Sequence, residues 1–126
     1  MSISFLSLDP AHAVVYHNSR CSKSRAALAY LADNAPGREV EVIAYLDTPP
    51  TKDQLRELID AMGIPVIAAV RTKEKEFKEL GLSKESSDSE LLDAMVSHPR
   101  LIGRPIVVTE KGVRIARPTE AIEEIL

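Results

Sequence analysis

Ala13 to His17 is an apolar run with β-branched residues at its centre, and it predicts a short buried strand. A polar turn follows. Ala26 to Leu31 then carries a narrow apolar face of Leu28, Leu31 and alanines. That spacing predicts a helix, stopped by Asn34-Ala35-Pro36-Gly37. Ser22 or Ser24 can serve as its N-cap. Glu39 to Tyr45 predicts a second strand, with Val40, Val42 and Ala44 on one face and Ile43 and Tyr45 on the other. Strand, helix and strand in so few residues predict a βαβ unit with a right-handed crossover and a parallel pair.

Residues 51–99 read as mostly helical. Thr51 and Gln54 form a capping-box signature, as do Ser87 and Glu90. Leu55, Leu58, Ile59 and Met62 follow helical spacing, and Gly63 suits a C-terminal cap. Pro65 to Val70 predicts a helical turn that continues through Arg71 and the charges after it to Leu80. Leu91, Leu92, Met95 and Val96 form the apolar face of the next helix, which His98-Pro99 closes.

Ile106 to Thr109 and Val113 to Ala116 predict two strands, and Glu110-Lys111-Gly112 between them is a hairpin signal. Pro118 suits the first position of a last helix, with Ile122 and Ile125 turned to the core. The sum is an α/β chain: a four-stranded mixed sheet with flanking helices and a helical insertion over 51–99. With a cysteine at the exit of the first strand, the layout resembles the thioredoxin fold. The expected organisation is one domain over 1–126, with 1–12 as an N-terminal extension.

Composition narrows the partners. The 126 residues suit one packed core. A net charge of -3 gives no global attraction to nucleic acid or anionic membrane, so a basic site has to be assembled from particular side chains. No apolar run approaches membrane-spanning length, and the N-terminus lacks the basic region of a secretory signal. One cysteine allows no intramolecular disulfide and no metal site built of several cysteines. A reducing, cytoplasmic setting is expected.

That cysteine, Cys21, lies in the turn between the first strand and helix, in Ser19-Arg20-Cys21-Ser22-Lys23-Ser24-Arg25. A helix N-terminus offers free N–H groups and a positive dipole end. With Arg20, Lys23, Arg25 and His17 nearby, these favour a thiolate. The alternative is a small buried residue, but its neighbours are polar rather than apolar. Ser24 stands where a C-x-x-C pair would place its second thiol, so redox chemistry at Cys21 needs an external thiol. Arg71, Arg104 and Arg117 stand at the ends of apolar segments. In a thioredoxin-like layout the start of the third strand passes close to the cysteine, so that Arg104 would reach Cys21, and Arg104-Pro105 is a candidate cis bond. Guanidinium groups around a thiolate suit a tetrahedral oxyanion. Arg38, Arg56, Arg100 and Arg114 read as surface residues, and Glu74, Glu76 and Glu79 as a solvated helix face. His17 either closes the strand or tunes the thiol.

Tyr16-His17-Asn18-Ser19-Arg20-Cys21-Ser22-Lys23-Ser24-Arg25 resembles the opening of the glutaredoxin-linked arsenate reductase family. Tyr45-Leu46-Asp47-Thr48-Pro49-Pro50-Thr51, Glu79-Leu80-Gly81-Leu82, His98-Pro99 through Arg104-Pro105-Ile106-Val107-Val108, and Arg117-Pro118-Thr119-Glu120 resemble later segments of that family, in the same order. Cys21-Ser22-Lys23-Ser24-Arg25 is similar to a less characterised branch of it.

The resemblance implies a thioredoxin-like core with a helical insert. It implies Cys21 as nucleophile toward arsenate, His17 tuning it, and Arg71, Arg104 and Arg117 holding the oxyanion. It further implies glutathione as co-substrate, glutaredoxin as partner, no bound cofactor and no metal. A cytoplasmic monomer without nucleic-acid or membrane partners completes the expectation. Two other readings stand beside it. One is a general glutathione-dependent thiol oxidoreductase. The other is a regulator resembling the Spx type that binds RNA polymerase, whose frequent C-x-x-C switch Ser24 excludes here.

Overall fold

The computed structural model describes residues 9–126. The expected extension over 1–12 thus falls largely outside the described residues, and His12 is already the first residue of β1. The chain divides into two compact units: the residues up to Thr48 together with Arg104–Leu126, and Pro49–Gly103.

The first unit holds the sheet. Its elements are β1 (His12–His17), α1 (Ser22–Asn34), β2 (Glu39–Ala44), β3 (Ile106–Thr109), β4 (Gly112–Ile115) and a C-terminal 3-10 helix, Thr119–Ile125. The strand order is β2-β1-β3-β4. β1 pairs parallel with β2 and antiparallel with β3, and β3 pairs antiparallel with β4. This is the expected four-stranded mixed sheet of thioredoxin-like form.

β1 and β3 are central, so both of their faces are covered and their sequences are continuously apolar: Ala13 to Tyr16 and Ile106 to Val108 are all buried. β2 is an edge strand. Val42 is 48% exposed, and Ala44 is exposed as well. Val15, Ala27, Leu31, Val107, Ala116, Ile122 and Ile125 form one buried cluster, which seats α1 and the C-terminal turns against β1 and β3. The last element was expected as a regular helix and is 3-10 instead, while Ile122 and Ile125 are buried as expected.

Arg38 departs from its reading as a surface residue. Its guanidinium forms a two-pronged pair with Glu110 at 2.7 and 2.9 Å and also donates to the carbonyl of His12 at 2.9 Å. It ties the start of β2 to the hairpin turn after β3. The side chains are only 9% and 18% exposed.

The second unit comprises α2 (Lys52–Met62), a 3-10 turn Val66–Ala69, α3 (Lys75–Glu79), α4 (Asp88–Ser97) and a 3-10 turn Pro99–Leu101. Both capping boxes form, at Thr51 with Gln54 and at Ser87 with Glu90. Gly63 takes the left-handed C-cap at φ 72°, a conformation that costs a side-chain-bearing residue. The helix expected to run from Pro65 to Leu80 is broken. Val70 leaves helical geometry to bridge Ile102, and the Arg71 amide donates to the carbonyl of Leu101 at 2.8 Å. That second partner outcompetes the local helix. The acidic face is solvated only in part. Glu79 is exposed as expected, but Glu74 and Glu76 are about one-sixth exposed and pair with Arg71 and Arg100; Arg100 itself is exposed, as its reading as a surface residue expects.

Candidate active site

The site grows out of the turn that joins β1 to α1. The Cys21 amide donates to the carbonyl of Asn18 at 3.0 Å, closing a four-residue turn. The Asn18 side-chain oxygen accepts from the Arg20 amide at 3.0 Å, an Asx turn inside the first. Ser24, fully buried, accepts from the Asn18 amide through Oγ at 3.3 Å. Arg25 donates to the Ser19 carbonyl at 2.7 Å. The loop is therefore fixed from both sides.

The N-cap is Cys21 itself, in extended geometry at φ -98° and ψ 122°, rather than Ser22 or Ser24. Ser24 was the better capping residue by type, but its hydroxyl turns back to hold Asn18. The thiol makes no regular capping hydrogen bond. It nevertheless stands where a capping oxygen would, facing the first free amides of α1. Burial pushes its pKa up; the amide of Ser24, the guanidinium of Arg104 and the amide of Lys23 push it down, and the balance lowers it to about 7. About half of the thiol is thus ionised near neutrality. Lys23 acts here through its backbone. Arg25 is committed to Ser19, and Arg20 and Lys23 are exposed side chains. The basic neighbours that single out Cys21 in the sequence are therefore not its main support.

Arg104 arrives from the other end of the chain, and the sheet explains how. The strand ladders end within two residues of Tyr45, Asn18, Arg104 and Arg117, so all four leave the sheet at the end from which Cys21 emerges. Arg117 Nε donates to the Arg104 carbonyl at 2.8 Å, and the Ala116 amide donates to the Pro105 carbonyl at 2.9 Å. The Arg104-Pro105 bond is cis, as is Arg117-Pro118. Arg104 is half-buried, and its Nε has no hydrogen-bond partner in the protein. Arg117 is exposed.

His17 ends β1, and its Nδ1 is buried without a partner. Arg71 lies in the second unit, where Nη1 is 2.6 Å from Glu74 and 3.4 Å from the carbonyl of Arg100. The structure thus brings Cys21, Arg104 and Arg117 together at one end of the sheet, with His17 on the strand that leads there. Sequence reasoning did not find Asn18 and Tyr45 as site residues. Only the register places them, since nothing in Asn18 or Tyr45 as residue types marks a site.

A surface concavity lined by His12, Ala13, Val14, Glu39, Val40 and Glu41 sits at the opposite end of β1 and β2. Its charged walls are acidic, and it offers no guanidinium. Among the described residues no cluster of three or more His, Cys, Asp or Glu could hold a metal ion. No described helix is long and apolar enough to cross a membrane.

The sequence pattern of the ArsC family matches residues 16–125. The chain is 46% identical over 113 residues to an arsenate reductase of Escherichia coli strain K12, covering 89% of this chain and 79% of that one. A solved arsenate reductase from Vibrio cholerae superposes with a TM-score of 0.86 at 43% identity, over 94% of this chain and 100% of the other. A putative arsenate reductase from Yersinia pestis superposes with a TM-score of 0.82 at 43% identity, over 90% and 99%.

Proposed function

The chain belongs to the ArsC family, and on that premise we propose that it is an arsenate reductase with Cys21 as its nucleophile. The observation that carries this is a single thiol lowered to about 7 beside a guanidinium whose Nε–H has no protein partner. A thiolate needs to be present at neutral pH to attack, and a buried N–H without an acceptor suits an anion that brings one. The similarity to named arsenate reductases supports arsenate as that anion.

The Cys21 thiolate attacks arsenic. A sulfur–arsenic bond forms, and one arsenate oxygen leaves as water after protonation. Glutathione then attacks the adduct, glutaredoxin carries the disulfide-forming step, and water cleaves the sulfur–arsenic bond, which releases arsenite and restores the Cys21 thiol. Arsenic falls from the pentavalent to the trivalent state, and its two electrons come from thiols that end as a disulfide. Ser24 in place of a second cysteine supports an external thiol as reductant. Arg104 and Arg117 hold the oxyanion, and Arg71 joins them on the family resemblance alone. His17 tunes the nucleophile. In this reading the protein works as a cytoplasmic monomer, with glutathione as co-substrate and no bound cofactor.

The test is a coupled assay with arsenate, glutathione, glutaredoxin and NADPH. Wild-type protein should consume NADPH in proportion to arsenate, and Cys21→Ser should consume none. Equal consumption by both would end the proposal. Turnover of a glutathione mixed disulfide without turnover of arsenate would point to a general thiol oxidoreductase instead.

A further inference from the structure

Among the described residues four buried side-chain polar atoms have no hydrogen-bond partner: His17 Nδ1, Tyr45 Oη, Glu76 Oε1 and Arg104 Nε. Two of these, Tyr45 and Arg104, lie near each other at the sheet end from which Cys21 emerges. A buried hydroxyl without a partner is costly, and such groups are uncommon unless they serve a ligand. Tyr45 is 1% exposed, so solvent does not satisfy it.

We propose that Tyr45 is a further residue of the oxyanion site, donating its hydroxyl hydrogen to an oxygen of the tetrahedral anion that Arg104 binds. This rests on the proposed oxyanion chemistry at Cys21 and adds a residue to it. The placement follows from topology. β1 and β2 run parallel, with His17 opposite Ala44, so the next residue of each strand exit, Asn18 and Tyr45, emerges at the same edge. Parallel strands present ligands at their carboxyl ends. Tyr45 lies within hydrogen-bonding reach of Asn18 and Arg104, though in no regular hydrogen bond with either, and close enough to Cys21 to feel its charge. Burial raises its pKa, so the phenol stays protonated at neutral pH and remains a donor.

A neutral donor beside a guanidinium has a distinct use. Arsenate gains negative charge on its oxygens as sulfur adds to arsenic. A phenol can strengthen its hydrogen bond to such an oxygen without adding another charge to a small site. A purely structural tyrosine would have its hydroxyl in a regular hydrogen bond or exposed to water; Tyr45 makes no regular hydrogen bond, is 1% exposed, and has only Asn18 and Arg104 as polar neighbours within reach.

The experiment compares wild type with Tyr45→Phe, which removes one oxygen and keeps the buried ring. Cys21 is alkylated with iodoacetamide while arsenate or sulfate is titrated in, and protection reports occupancy of the anion site. Wild-type Cys21 should be protected at increasing anion. Tyr45→Phe should need about tenfold more anion for the same protection, the loss of one hydrogen bond to a charged acceptor. It should keep its melting temperature, because an unpaired buried hydroxyl contributes no stability. Tyr45→Leu is a second variant that should lose the same protection if it folds.

Protection of Tyr45→Phe equal to wild type, with arsenate turnover intact, would overturn the role of Tyr45 and leave the reductase reading standing. A clear fall in melting temperature with unchanged protection would assign Tyr45 to packing. Failure of any oxyanion to protect wild-type Cys21 would sink both together.

Discussion

Arg117 holds Arg104 by its carbonyl: Arg117 Nε donates to the Arg104 oxygen at 2.8 Å, across the ends of β3 and β4. Arg104 lowers the Cys21 pKa, while Arg117, beside its proposed part in holding the oxyanion, fixes the backbone that carries Arg104. Arg117→Ala should lower kcat/KM for arsenate by about tenfold, as expected for losing one charged hydrogen bond. Arg117→Lys keeps the charge but cannot reproduce the Nε–H, and it should recover only part of the activity. Full recovery by lysine, in the same steady-state assay, would show that only charge matters.

Cys21 should titrate near pH 7 in an alkylation profile, and Arg104→Ala should move that midpoint upward toward an ordinary thiol. Stability follows with a definite sign. Because the folded pKa is lowered, the thiolate stabilises the fold fully above the ordinary thiol value of about 9, and that contribution is lost as pH falls through about 7. Chemical denaturation at pH 6 and pH 9 should show wild type gaining about 2 kcal/mol relative to Cys21→Ser over that interval. A flat difference would mean that the amides of Ser24 and Lys23 and the charge of Arg104 do not act on the thiol.

The Arg38–Glu110 pair should matter to the fold and leave the thiol alone. Glu110→Gln keeps size but removes the charge, leaving a guanidinium that is 9% exposed short of its partner. A loss of about 1–3 kcal/mol is expected. Arg38 holds the Glu110 carboxyl below its ordinary pKa, so its stabilisation is present at neutral pH and disappears as pH falls below the usual carboxylate range. Acid unfolding of Glu110→Gln should lack that component, while its alkylation midpoint matches wild type.

Ser24 tests the loop. Ser24→Ala removes the acceptor for the Asn18 amide, a bond of 3.3 Å at a fully buried side chain. The expected cost is about 1 kcal/mol of stability. The Asn18 turn that carries Cys21 should also loosen, and the alkylation midpoint should rise. If stability falls while the midpoint stays put, the Asn18–Cys21 hydrogen bond suffices to hold the turn without Ser24.

Much of this was readable along the chain because its causes are local. A strand exit, a turn and a helix start within ten residues mark Cys21. The capping boxes at Thr51 and Ser87 and the glycine stop at Gly63 depend on side chains three or four positions apart, and they formed as expected. Arg104 was legible too, because a charge and a proline just before an apolar strand are locally odd. The departures arose where a distant partner outcompeted a local preference. Ser24 gave its hydroxyl to Asn18 rather than to its own helix, and Val70 left helical geometry to bridge Ile102.

Sequence by itself determined most of the elements, the single cysteine at a strand exit and the serine in place of a second thiol, since spacing and residue type carry those directly. Tertiary structure alone decided which groups surround that cysteine. Arg104 meets Cys21 across 83 positions, Arg38 meets Glu110 across 72, and Tyr45 lies near Arg104 only because the order is β2-β1-β3-β4. A side chain's charge is written in its own codon; its partner is set by strand register, which the whole core fixes at once.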